Sequence, residues 1–202
     1  MGTRLINDDT ANTYYNCESV IAVGEVKSDA SIYDVRDSID KLVKVKQLKR
    51  YNDNGYVFRK YFSPITITDS LKGNKIPYNS DDNNLAQIYT FLLCKSLNTP
   101  IDSIVKCLNE KCTKQHTFLN RIISTTGDYI AYLDIDNTQY NSSFGRVNSN
   151  AIYNLKNNKY SFNHFICDII SFISHGTTVP INYDKYLSVP LTSNDIKEII
   201  EL

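Results

Sequence analysis

The sequence predicts an α/β fold: a central mixed sheet flanked by helices, with a C-terminal hairpin and further helices. Three observations carry this. The apolar run Val20-Ile-Ala-Val23 reads as a buried strand suited to a sheet core. Ile32, Val35, Ile39, Leu42, Val45 and Leu48 then recur every three or four residues, the period of one helix face. Ala86–Cys94 returns to β-branched, aromatic and apolar residues, and a second helical pattern begins at Pro100. Strand, helix, strand, helix in this order layers helices on a sheet.

At 202 residues the chain suits one domain, with a core over about 15–135 and a C-terminal helical part over about 159–202. Its 22 basic and 22 acidic residues cancel, so any contact with nucleic acid has to come from a local patch. The sequence has no 18-residue apolar run, and Met1–Asp9 lacks the apolar segment of a signal peptide. Five cysteines among apolar neighbours suit reduced thiols. The expectation is a soluble cytoplasmic protein without a membrane partner.

Thr3–Ile6 reads as a short strand and Asn7-Asp-Asp-Thr10 as a turn. Ser28, Asp29 or Ser31 can cap the first long helix, which runs to about Lys49. Asn and Asp mark a turn at 51–56, and Val57–Phe62 is an exposed strand or irregular segment. Residues 69–84 are a polar loop. Ala86–Cys94 is a central strand beside the first, with a helix capped by Asp81 or Asp82 as the alternative. Thr99 caps the next helix with Pro100 in its first position. Phe118–Ser124 and Tyr129–Ile135 flank Thr125–Asp128 as a hairpin, and 136–158 is loop. Ser161–His175 is a helix with Phe162, Phe165, Ile166, Ile169, Ile170 and Ile173 inward and Gly176 as its stop. Tyr183–Tyr186 is extended, and Ser193 or Asn194 caps a final helix.

The chemistry concentrates at the end of the first strand. Side chains alternate along a strand, so Glu25 and Lys27 share one face and Val26 points away. Burying either charge alone would cost several kcal/mol, roughly, so the two are either a structural ion pair or part of a metal site. The apolar run closing on Glu25-Val26-Lys27 resembles the core of the PD-(D/E)XK, or restriction-endonuclease-like, nucleases. The longer string Glu18–Ser28, with the helix containing Asp40–Arg50, is similar to the DUF6602 family of that superfamily. The close match covers about residues 18–50, and a looser one runs through Phe91–Leu97 and the final helices.

The resemblance implies a nuclease acting on DNA or RNA in prokaryote–phage conflict. Glu25 and the Val26 carbonyl would bind Mg²⁺ or Mn²⁺, and Lys27 would orient a water or stabilise charge on the phosphate. The family pattern adds an acidic residue on the preceding strand. Only 24 residues precede Glu25, and Asp8 or Asp9 is the candidate. A fragment, a degenerate site or a part borrowed from a partner are the readings this leaves. Lys44, Lys46, Lys49 and Arg50 read as a basic rim steering a phosphate backbone, or as a solvated helix face matched to the helix dipole. Arg59 and Lys60, between aromatics, suit a base-stacking platform or half-buried packing.

The alternative function is a catalytically inactive nuclease-like binding module, such as a phage-encoded inhibitor of a bacterial defence protein. Self-association is compatible with either. Cys107, Cys112, His116, His164 and Cys167 offer zinc-ligand types without the compact spacing of a zinc knuckle.

Overall fold

The computed structural model describes residues 4–7, 13–50, 59–60, 78–136, 140–155 and 158–179. Strands β1 (Arg4–Asn7) and β2 (Thr13–Tyr15) pair with each other. Strand β3 (Ala22–Ala30) carries Glu25 and Lys27 and leads into helix α1 (Ile32–Lys46). After β4 (Arg59–Lys60) come β5 (Tyr89–Leu97) and helix α2 (Ile101–Lys111). The expected hairpin is β6 (Arg121–Ser124) and β7 (Tyr129–Ile135). Strands β8 (Tyr140–Ser143) and β9 (Ala151–Asn154), helix α3 (Ser161–His175) and β10 (Thr177–Thr178) follow.

The main sheet runs β3-β5-β6-β7-β8, with β9 also paired to β7. The β3–β5 and β5–β6 pairings are parallel and the others antiparallel, so the sheet is mixed as expected. Alternation then sorts side chains onto two faces. Leu92, Cys94, Ile122, Ile130 and Tyr132 pack with Val35, Ile39 and Leu42 of α1 and Ile104 and Leu108 of α2. Tyr89, Ile123, Tyr129 and Ala131 face the other way, onto Phe165 and Phe172 of α3.

Several expectations change in detail. Among the described residues β3 pairs with β5 alone, so it is an edge strand where a buried one was expected. Its residues are accordingly half-buried or exposed up to Ala30. Ser31 is the cap of α1: its hydroxyl accepts from the Asp34 amide, and the Asp34 carboxylate accepts from Ser31 in return. Thr99 does not cap α2, because its buried hydroxyl faces the Ala30 carbonyl and Pro100 takes the cap position. The expected loop over 136–158 contains β8 and β9. The polar sequence of β8 hides it, β9 is only four residues long, and both are held by backbone pairing to Tyr132–Ile135 and Ile130–Leu133 of β7.

Helix α3 has the expected limits and ends at Gly176. Only part of its apolar surface turns inward. Phe165 and Phe172 are buried, whereas Phe162, Ile166 and Ile170 lie 43%, 39% and 60% exposed. The helix rests on β6 and β7 along one narrow stripe, leaving the adjacent stripe toward solvent. A buried charge fixes it there. Arg121, 1% exposed, donates through Nε to the Asp168 carboxylate of α3 and to the Tyr129 hydroxyl. The Tyr129 hydroxyl also donates to Asp168.

Candidate functional site

The chain turns from β3 into α1 at the Ser31 capping box, and the helix packs back against the strand. That turn brings two residues of α1, Asp37 and Lys41, onto Glu25 and Lys27. Lys27 Nζ lies 3.8 Å from Glu25 Oε2 and 3.5 Å from Asp37 Oδ2. Lys41 Nζ lies 3.7 Å from Glu25 Oε2 and 2.9 Å from Asp37 Oδ2. Each carboxylate therefore meets both amines, and each amine meets both carboxylates.

The four side chains are a quarter to a half exposed, so the cluster is open to solvent. Lys41 holds the Asp37 carboxyl below its usual range, and Asp37 raises the Lys41 amine in return. On the opposite face Val26 is 69% exposed. There the Phe91 ring lies where a Cβ on Gly24 would stand, 2.2 Å from the nearest ring atoms, so a side chain at 24 would unseat it. Asp29, further along the Glu25 face, accepts a hydrogen bond from Ser96 on β5.

The sequence-based candidates fall in different places. Glu25 and Lys27 come together as expected. Asp8 and Asp9 lie outside the described residues. Lys44 and Lys49 are exposed, and Lys44, three residues past Lys41, continues the same side of α1. Arg59 and Lys60 form β4, paired with β10. Lys46 and Arg50 depart from the expected rim. The Lys46 amine is buried and donates to Gln87 Oε1 at 2.9 Å. Arg50 donates to the carbonyls of Cys17, Val20, Ala86 and Thr177 and to the Tyr78 hydroxyl, tying together four segments of chain.

Burial, with the Arg50 charge nearby, pushes the Lys46 amine well below its ordinary 10.5. The unfolded chain then binds more protons at this group at any pH between the folded value and 10.5. Its contribution to stability falls as pH drops through that window. Lys46→Met is expected to raise stability by about 1 kcal/mol at pH 7, since replacing a buried charge by an apolar chain is neutral or favourable. The gain should shrink as pH rises toward 10.5. Thermal melts of both proteins at several pH values check this; a gain that grows with pH would contradict it.

The zinc-type residues are not assembled. Cys107 and Cys112 are buried in the core, and burial pushes the Cys112 thiol up to about 12. Among the described residues no group of three His, Cys, Asp or Glu side chains is placed to hold a metal. Glu25 and Asp37 make a pair of oxygen donors, the ligand type that hard divalent cations take. In chemistry the donor set fits such an ion, and the two amines compete for it. Sequence reasoning gave Asp37 no role; its spacing of four from Lys41 on the helix following Glu-x-Lys was the available signal.

No protein-family model matches the chain, and no curated protein matches its sequence. Solved structures of NucC do match in fold. The cAAA-bound form of NucC from P. aeruginosa ATCC27853 is 19% identical with a TM-score of 0.55, over 92% of this chain and 64% of that one. The cAAA-bound form of NucC from E. coli MS115-1 is 18% identical with a TM-score of 0.55, over 93% and 66%. Its apo form is 19% identical with a TM-score of 0.50, over 89% and 68%. The chain thus spans just under two thirds of the length of the two cAAA-bound chains. At this identity the likeness shows the fold: the restriction-endonuclease-like mixed sheet flanked by helices. No helix among the described residues is long and apolar enough to cross a membrane.

Proposed function

We propose that the chain is a divergent, metal-dependent nuclease that hydrolyses phosphodiester bonds of DNA or RNA in prokaryote–phage conflict. The observation that carries this reading is Glu25 and Lys27 side by side on one open face of β3, in a fold shared with NucC. The resemblance to DUF6602, a cytoplasmic location and self-association belong to the same proposal.

Glu25 and the Val26 carbonyl would hold Mg²⁺ or Mn²⁺, which supplies Lewis acidity and a water of lowered pKa. Lys27 brings a fixed positive charge to the same face, where it donates to a phosphate oxygen as negative charge builds there. Asp37 limits how far that amine can swing, since it holds Nζ from the side away from β3. Lys44 and Lys49, exposed on and just beyond α1, would meet a phosphate backbone, with Arg59 and Lys60 as further candidates.

A second reading rests on the same cluster. Two carboxylates already neutralised by two amines form a self-contained ion network, as in an inactive module that binds a bacterial defence protein. Incubating plasmid DNA and single-stranded RNA with the protein in Mg²⁺, Mn²⁺ or chelator separates the two. The nuclease reading expects cleavage that chelator abolishes. Intact substrates in both metals, with no binding of Mn²⁺ by the protein, would favour the binding module.

A further inference from the structure

Among the described residues the E-x-K strand gives the cation a single side-chain carboxylate, Glu25, and one carboxylate beside a lysine holds a divalent ion poorly. Asp34, which also feels the Lys27 charge, is held in the Ser31 cap. Asp29 is turned to Ser96, whereas Asp37 approaches the same two amines as Glu25. Lys41 Nζ stands between the two carboxylates, 2.9 Å from Asp37 and 3.7 Å from Glu25. Glu25 and Asp37 would hold a divalent cation in place of this ammonium. The Lys41 side chain is 51% exposed, so it can swing out without disturbing the core.

Resting on the nuclease reading of this site, we propose that Asp37 supplies the second cation-holding carboxylate and that Lys41 is a resident counter-ion which the metal displaces. The second acid then comes from the helix after the E-x-K strand, and the site does not depend on Asp8 or Asp9. The two α1 residues act in opposite directions. Asp37 favours metal and Lys41 opposes it, although they are bonded to each other.

The test is Mn²⁺ binding by the intact chain, measured by calorimetry at fixed ionic strength, without substrate. Wild type is compared with Glu25→Gln, Asp37→Asn, Asp37→Glu, Lys41→Met and Asp9→Asn, each checked by circular dichroism. Asp37→Asn should weaken binding by about tenfold or more, and Asp37→Glu should restore part of the loss; about 1.4 kcal/mol separates each tenfold step. Lys41→Met should tighten binding severalfold. Wild-type affinity in Asp37→Asn, or loss in Asp9→Asn in its place, overturns the assignment of the second carboxylate. Unchanged or weaker binding in Lys41→Met overturns the counter-ion role. If Glu25→Gln binds as wild type, or wild type does not bind, the nuclease reading itself falls and takes this inference with it. A large loss in Glu25→Gln with none in Asp37→Asn defeats the inference alone.

Discussion

Glu25→Ala and Lys27→Ala are each expected to cut Mg²⁺- or Mn²⁺-dependent cleavage by about 10²–10³-fold, the loss typical of removing one preorganised charge from a transition state. Thermal unfolding should stay near wild type. The reason lies in exposure: the two side chains are 28% and 25% exposed, and ion pairs in such positions contribute on the order of 0–1 kcal/mol to stability. Removing Glu25 also frees Lys27 and Lys41 to share Asp37, so no charge is left stranded. Cleavage rates and melting curves of both variants decide the matter. Full activity in both would end the proposed mechanism, and a fall in both activity and melting temperature would instead mark the cluster as structural.

That cluster was only half legible in the sequence. Glu25 and Lys27 could be paired from local alternation alone, because residues two apart on a strand share a face. Asp37 and Lys41 could not be placed against them, since the docking of α1 on β3 depends on contacts distant in sequence. The capping box at Ser31, by contrast, is a local device and was within reach.

Lys46 shows how a charge can mislead. Val35, Ile39 and Leu42 set a buried stripe that continues, at helical period, through position 46. Geometry sends Lys46 inward and leaves Leu48 56% exposed, against the apolar pattern. Residue type argued for a basic rim, and period argued for the core; period won because α1 is a regular helix to Lys46. Strand β8 was hidden for another reason. An edge of the sheet built on backbone pairing needs few apolar side chains, so Tyr140–Ser143 carries almost no strand signal.

The largest stability effect is expected on the other face of the sheet. Asp168→Ala leaves Arg121 charged and buried with only the Tyr129 hydroxyl and nearby carbonyls for partners. Breaking a buried pair in this way costs about 3–5 kcal/mol, and because Asp168 is 21% exposed the lower figure, about 3, applies. For a chain of this size that lowers the melting temperature by roughly 6–12 °C. The penalty belongs to the stranded charge more than to the lost bond. Arg121→Met combined with Asp168→Leu should therefore recover most of the stability, since an apolar pair fills the space without a charge to desolvate. A double-mutant cycle by chemical unfolding measures the coupling. Losses that simply add would show that Arg121 and Asp168 act separately, and that α3 is held to β6 and β7 by the packing of Phe165 and Phe172 instead.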